Sequence, residues 1–232
     1  MGAPTIFTRP PSADDMVRRW EQFLATCGPA LFFTALLCSL FAPARARDID
    51  LYSGCIPISS WEDISSLVNR LPQGTRAVVL CPFDIVHDGT STDGLELYTE
   101  KLTLSCAAEN GALARKDNRC RIRGSARHFN IAAEEITLLG FSFEGSNNAA
   151  VWVNKFVTRS TITRCVFSNN LRSIGEGAAV VLERGSQGTT LDECEFNGNV
   201  AWGGGAVSGV GASLTVVGCT FRDNRATIGA VS

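Results

Sequence analysis

Residues 189–199 read Thr-Thr-Leu-Asp-Glu-Cys-Glu-Phe-Asn-Gly-Asn, and this stretch recurs in recognisable form along the chain. Four segments align with its first eight positions without gaps, and their starts lie 24, 29 and 25 residues apart. They are Ile136–Phe143, Ser160–Phe167, Thr189–Phe196 and Leu214–Phe221. A repeat of about 20 to 30 residues without a helical pattern is typical of a solenoid, in which each unit buries its inner face against its neighbours.

Each segment alternates in a way that predicts two short strands joined by a bend. The first strand has an outward threonine followed by an inward apolar residue, because alternate residues of a strand face opposite sides. After two bend residues the second strand turns a cysteine or phenylalanine inward, with a second phenylalanine two residues later. The sequence therefore predicts two interior ladders. The first consists of Phe141, Cys165, Cys194 and Cys219, and the second consists of Phe143, Phe167, Phe196 and Phe221.

The turns between strands also repeat. The pattern F-x-x-N ends at Asn170, Asn199 and Asn224, and an amide at this position can bond to the identical amide one coil away. Glycine-alanine-valine corners follow at 177–180, 204–207 and 228–231 and begin a third strand. We therefore predict an all-β fold, a right-handed parallel β-helix of about six coils over residues 77–232.

The F-x-x-N and G-G-A-[ILV] motifs resemble the β-helical passenger repeats of chlamydial polymorphic outer-membrane proteins. The chain as a whole resembles secreted right-handed β-helix proteins of the pectin-lyase-like superfamily, closely over residues 136–232 and loosely over 76–135. The resemblance implies a fold and a compartment. It implies no particular activity, because this fold hosts adhesins, lyases, hydrolases and inert surface proteins.

Residues 1–46 are predicted to be a secretory signal. Twenty uncharged residues, 23–42, follow Arg18 and Arg19 and precede Ala44-Arg-Ala46, the small-x-small pattern that a signal peptidase cleaves. The alternative is an uncleaved signal anchor, which would be the only attachment to a membrane. Both alternatives place the rest of the chain outside the cytosol.

Residues 47–76 are predicted to hold a capping helix at 61–70. Ser60-Trp-Glu-Asp63 matches a capping box, and apolar residues follow at helical spacing before Pro72. Its expected role is to cover the open end of the first coil. At the other end the sequence stops as a new strand begins at 228–231, so we expect either association through this edge or, in preference, a truncated solenoid.

Seven cysteines follow residue 46, and their positions predict two disulfides. Cys106 and Cys120 bracket the largest excursion from the coils, and Cys55 and Cys81 flank the capping helix and the first strand. Cys165, Cys194 and Cys219 should stay reduced and buried, because stacked parallel side chains are too far apart for a disulfide.

Charge patterning offers one candidate binding feature. The whole chain has a net charge of -2, yet Arg115, Lys116, Arg119, Arg121, Arg123 and Arg127 fall within 13 residues that contain one acid, Asp117. If Cys120 faces inward, Arg119, Arg121 and Arg123 share an outer face, here called the arginine stripe. Such a stripe suits a carboxylated or sulfated polysaccharide, although an ordinary solvated face is the simpler interpretation. No aromatic residue interleaves with it, which argues against nucleic acid.

The sequence favours no catalytic site, metal or cofactor. The outward positions of one coil alone are acidic, at Asp192, Glu193 and Glu195, and these could act with Asp223 as acid and base only in the less favoured interpretation. No CxxC motif occurs, and the two histidines, His87 and His128, are expected to be structural. We therefore expect a secreted or cell-surface β-helix that binds an anionic polysaccharide or a surface partner. The alternative is a polysaccharide lyase or glycoside hydrolase of the pectin-lyase-like superfamily.

Overall fold

The computed structural model describes residues 54–87, 89, 94–107 and 120–228. The predicted signal, Arg119 and the C-terminal residues 229–232 lie outside this range. The described part contains one helix, α1 (Trp61–Asn69), and twenty short strands. The first ten strands are β1 (Ala77–Leu80), β2 (Phe83–Val86), β3 (Leu95–Leu97), β4 (Thr103–Cys106), β5 (Cys120–Arg123), β6 (Phe129–Ile131), β7 (Thr137–Leu139), β8 (Phe141–Glu144), β9 (Val151–Val153) and β10 (Thr161–Thr163). The others are β11 (Val166–Ser168), β12 (Leu171–Glu176), β13 (Val180–Leu182), β14 (Thr189–Asp192), β15 (Glu195–Asn197), β16 (Val200–Gly203), β17 (Val207–Gly209), β18 (Leu214–Val217), β19 (Thr220–Arg222) and β20 (Arg225–Ile228).

These strands form four parallel sheets that run along a solenoid. Sheet A has the order β1-β4-β7-β10-β14-β18, and sheet B has the order β2-β5-β8-β11-β15-β19. Sheet C has the order β3-β6-β9-β13-β17, and the small sheet D has the order β12-β16-β20. Every consecutive pair of neighbours in a sheet comes from consecutive coils, so the structure confirms a parallel β-solenoid with five complete coils and a sixth begun.

The predicted register of the later coils is confirmed. Thr161 pairs with Thr137 on one side and with Thr190 on the other, and Phe167 pairs with Phe143 and Phe196 in the same way. Their inward neighbours join one continuous core that reaches from α1 to the fifth coil. The ladders deduced from the repeat are therefore real columns of packed side chains.

The first two coils depart from the sequence alignment. Cys81-Pro-Phe83 matches the C-x-F pattern, which would place Phe83 in the phenylalanine ladder. The structure instead pairs Phe83 with Cys120, which in turn pairs with Phe141, so that Ile85 and Ile122 occupy the column of Phe143. The match was wrong by two residues, because Ile85 and Ile122 replace phenylalanine in the ladder of the first two coils.

The bend between sheets A and B is built from left-handed residues. Gly140, Arg164, Glu193 and Gly218 have φ angles of 77°, 52°, 49° and 62°. Each of the first three donates its backbone N–H to the residue that precedes the bend of the next coil, at 2.9 to 3.2 Å. Non-glycine residues here cost roughly 1 to 2 kcal/mol each, which the repeated hydrogen bonds offset.

The asparagine turn is also confirmed. Nδ2 of Asn170 donates to Oδ1 of Asn199 at 2.9 Å, and Nδ2 of Asn199 donates to Oδ1 of Asn224 at 2.9 Å. The same amides donate to the carbonyl oxygens of Phe143 and Phe167 on the preceding coil. Asn170 and Asn199 are fully buried, and their side chains leave no amide group unsatisfied.

The helix α1 covers the first coil as expected. Ser60 accepts from the backbone N–H of Asp63, whose carboxylate accepts from the backbone N–H of Ser60, so the capping box is present. Ile64, Leu67 and Val68 are buried in the common core. The helix ends at Asn69, one residue earlier than predicted, and Arg70 is its C-cap.

Candidate functional site

The described part of the arginine stripe lies on the outer face of sheet B. Cys120 and Ile122 are fully buried, so Arg121 and Arg123, which alternate with them on β5, face solvent. Their side chains are 47% and 45% exposed. Arg119 lies outside the described residues, as do Arg115 and Lys116.

An acidic residue from outside residues 115–127, Asp84, lies beside these arginines. Asp84 lies on the preceding coil and pairs in register with Arg121. Its carboxylate lies 2.8 Å from Nε of Arg123 and 3.7 Å from Nη1 of Arg121. On the other side, Arg123 pairs in register with Glu144. The charges of the described part of the stripe are therefore balanced, and its basic excess comes from the segment that precedes Cys120.

The pairs with Asp84 fix geometry more than stability. All three side chains are nearly half exposed, and ion pairs of this kind contribute about 0 to 1 kcal/mol. Because Asp84 accepts from Nε of Arg123, that guanidinium keeps its terminal donors for other acceptors. The stripe can thus present oriented donors to an anion.

An aromatic residue joins the basic cluster from the next coil. Cζ of Arg127 lies 4.2 Å from the ring centroid of Trp152, and Cζ of Arg172 lies 4.9 Å from the same centroid. Burial lowers the pKa of Arg172. No aromatic residue interleaves with the arginine stripe along the chain, but Trp152 contacts Arg127 and Arg172 from other coils. Only the register of sheet C, in which Trp152 follows Asn130, could have revealed the contact.

The acidic residues of the fifth coil do not form one site. Asp192 ends β14 on sheet A and accepts from the hydroxyl of Thr163 at 3.2 Å. Glu193 occupies the bend and pairs with Nε of Arg164 at 2.7 Å. Glu195 begins β15 on sheet B, and Asp223 lies one coil later in the turn after β19. Three of these carboxylates are thus distributed around the bend, and the fourth lies beyond the opposite end of sheet B.

Comparison with known proteins agrees with the architecture. The family described as "right handed beta helix region" matches residues 87–232, which is more than half of the chain. The chain belongs to the right-handed β-helix family. No curated protein and no solved structure matches the chain.

The two histidines of this β-helix are both buried, at 1% and 0% exposure for His87 and His128. The His87 ring meets Trp61 of α1 edge to face with centroids 4.1 Å apart, so it helps to hold the capping helix on the first coil. Burial lowers the pKa of His128 to about 3, so this side chain is neutral at physiological pH. Its Nε2 faces the carbonyl oxygen of Gly124 at 3.3 Å and therefore carries the proton.

Within the described residues, no three His, Cys, Asp or Glu side chains come together in a way that could hold a metal ion. In the same part of the chain, no helix is long and apolar enough to span a membrane.

The cysteines of the β-helix pair as the sequence analysis predicts. Disulfides join Cys55 to Cys81 and Cys106 to Cys120, with Cα separations of 4.7 and 5.7 Å. The first ties the segment before α1 to the end of β1, and the second closes the excursion between sheets A and B. Both lie where the chain leaves the regular coils.

The three remaining thiols are reduced, but they are not equally buried. Cys165 and Cys194 are buried, and hydrogen bonding with Cys165 together with burial raises the pKa of the Cys194 thiol. Cys219 is only partly buried, so the expectation of full burial is wrong for this residue. The reason is its place on the sixth coil, where Val217 and Phe221 are also about half exposed.

Proposed function

We propose that this protein is a non-catalytic, extracytosolic β-helix that binds acidic polysaccharide through the arginine stripe of Arg119, Arg121 and Arg123. The observation that carries the proposal is the outward, half-exposed placement of Arg121 and Arg123, which Asp84 orients on sheet B. Guanidinium groups at alternate strand positions lie about 7 Å apart and match repeated carboxylates or sulfates of a polymer. The three further basic residues at 115–127, which are Arg115, Lys116 and Arg127, increase the local positive charge.

The extracytosolic location is supported by the two disulfides, which are typical of proteins that fold in an oxidising compartment. The uncharged segment 23–42 and the small residues Ala44 and Ala46 support secretion through a cleaved signal. The resemblance of the repeats to secreted pectin-lyase-like proteins supports the same location.

A column that carries a sulfated polysaccharide tests this function. We expect the purified ectodomain from Arg47 onward to be retained at low salt, and the variant Arg119→Ser/Arg121→Ser/Arg123→Ser to pass through. Thermal melting should be nearly unchanged, because exposed ion pairs contribute little to stability. A matched variant, Arg184→Ser/Arg222→Ser/Arg225→Ser, removes the same charge elsewhere and should still be retained.

A substitution of opposite sign sharpens the test. Asp84→Asn removes the carboxylate that pairs with Arg121 and Arg123, so this variant should elute at higher salt than the native protein. Asp223→Asn raises the net charge equally on the sixth coil and should elute with the native protein. Equal elution of Asp84→Asn and Asp223→Asn, or retention of the stripe variant, would show that Arg121 and Arg123 are ordinary solvated residues that do not bind the polysaccharide. Release of shortened or unsaturated fragments from the polysaccharide would favour the enzymatic alternative.

A further inference from the structure

A shallow pocket of about 400 Å³ lies beside the capping segment, away from the arginine stripe. One wall is the turn that follows α1, with Gln73 and Arg76, and the other is the turn that links sheets C and A, with Tyr98, Glu100 and Lys101. A volume near the lower end of the usual range for small-molecule pockets, ~300 to 1,000 Å³, suits a small ligand and not a polymer chain.

Hydrogen bonds hold both walls in place. The backbone N–H and the hydroxyl of Thr75 both donate to the carbonyl oxygen of Pro72, at 3.1 and 2.8 Å. Lys101 has a left-handed φ of 61°, and its N–H donates to Glu134 of the next coil at 2.9 Å. Thr103 donates to the carbonyl oxygen of Arg76 at 2.8 Å and joins the two walls. The pocket is therefore formed before any ligand binds.

Two cations, Arg76 and Lys101, line this pocket. Arg159 holds the pKa of the Glu135 carboxyl below its usual range, and the charges of Lys101 and Arg76 act in the same direction. Glu135 forms an ion pair with Arg159 at 2.6 Å. Among the described residues, neither Arg76 nor Lys101 forms an ion pair. The two cations can therefore accept an anionic group from solution.

The remaining lining limits what that anion can be. Glu100 carries a negative charge at the same pocket, so the lining has a net charge of +1, which fits a monoanion better than a phosphate dianion. An ionised carboxylate only accepts hydrogen bonds, so Glu100 calls for a ligand with donor groups such as hydroxyls. Tyr98 is 66% exposed and offers a flat apolar ring. Hydroxyls, a flat apolar face and one carboxylate are the chemical features of a uronic acid.

We propose that this pocket binds the terminal uronic acid residue of a glycan, with its carboxylate between Arg76 and Lys101 and its ring against Tyr98. The ligand class rests on the proposed function, but the site is separate from the arginine stripe. Gln73 and Glu100 then bind the sugar hydroxyls.

Isothermal titration of the purified ectodomain with methyl glucuronide tests the site, with methyl glucoside and acetate as comparison ligands. Methyl glucuronide should bind, and each comparison ligand should bind at least about tenfold more weakly, because each lacks one of the required features. Tyr98→Ala and Lys101→Gln should each weaken binding roughly tenfold. Phe156→Ala, which removes another exposed aromatic ring, and Lys155→Gln, which removes another exposed lysine, should bind like the native protein.

The outcomes separate the pocket from the stripe. Binding of methyl glucuronide by a protein that the polysaccharide column fails to retain would support the pocket and overturn the proposed function. Retention of the protein on the column without binding of methyl glucuronide would support the proposed function and overturn the pocket. Acetate binding as tight as that of methyl glucuronide, or unchanged affinity in Tyr98→Ala and Lys101→Gln, would overturn the pocket. All four altered side chains are solvent-exposed, so these variants should fold.

Discussion

At the scale of single residues, the interior is organised by identical side chains that repeat once per coil. Phe143, Phe167, Phe196 and Phe221 stack with successive ring centroids 5.0, 4.9 and 4.7 Å apart. Removal of an inner ring leaves a cavity that the rings above and below cannot close, because the sheet backbone fixes their separation.

Phe196→Ala should therefore lower the free energy of unfolding by about 3 to 5 kcal/mol, measured by urea denaturation. Phe221→Ala is the matched control, because Phe221 belongs to the same ladder but is 49% exposed on the sixth coil. It should cost less than half as much. Equal losses, or a loss below ~1 kcal/mol for Phe196→Ala, would show that the ladder is not packed as described.

His128 should make stability depend on pH. Burial lowers its pKa to about 3, whereas the unfolded chain has an ordinary histidine pKa near 6.5. The unfolded state therefore binds more protons between these values, and stability present above pH 6.5 is lost as the pH falls toward 3. The slope approaches ~1.4 kcal/mol per pH unit.

His128→Phe removes this proton while it keeps a ring beside Phe143, which stacks on His128 at 5.9 Å. Between pH 6 and 4 the stability of this variant should fall less steeply than that of the native protein in urea melts. The variant loses the hydrogen bond to Gly124 at every pH, so the comparison concerns the slopes. Parallel curves would mean that His128 is accessible to protons in the folded state.

At the scale of elements, the capping box determines where α1 begins. Ser60→Ala removes the acceptor for the Asp63 N–H and should destabilise the protein by about 1 kcal/mol. Ser66→Ala places the same substitution at an exposed position inside the helix, where alanine is favourable. The midpoint temperatures of thermal unfolding of the two variants should therefore shift in opposite directions. Equal shifts would show that the Ser60 cap does not stabilise the helix.

The sequence predicted α1, the later strands and the turns because each depends on local spacing. The gapless repeats over residues 136–221 place every threonine, cysteine and phenylalanine on its observed face. The first two coils were less predictable, because isoleucines at 85 and 122 replace phenylalanine in the ladder. Without that marker, Cys81-Pro-Phe83 gave a false match.

The candidate sites depend on contacts between coils, which spacing along the chain does not show. Asp84 reaches Arg123 across 39 residues, and Trp152 meets Arg127 across a turn of the solenoid. The pocket at Tyr98 joins the turn after α1 to the turn between two coils. Each of these requires the register of coils whose lengths vary, so each needed the structure.

At the scale of the whole molecule, the described β-helix has one continuous core, which is covered at the first coil and more exposed at the sixth. The disulfide at Cys55 and the helix α1 close the first coil. The sixth coil has half-exposed apolar residues, among them Val216, Val217 and Phe221. Accessibility of side chains should therefore rise along the thiol ladder from Cys165 to Cys219.

The stacked, parallel register of the coils can be tested through the cysteines. Peptide mass mapping after alkylation of the native protein should find disulfides between Cys55 and Cys81 and between Cys106 and Cys120. Cys165 and Cys194 should be labelled only after unfolding. Cys219 should be labelled slowly in the native state, because burial raises its pKa to about 11 while part of the side chain reaches solvent. A disulfide among Cys165, Cys194 and Cys219, or rapid native labelling of Cys165, would contradict the stacked parallel register.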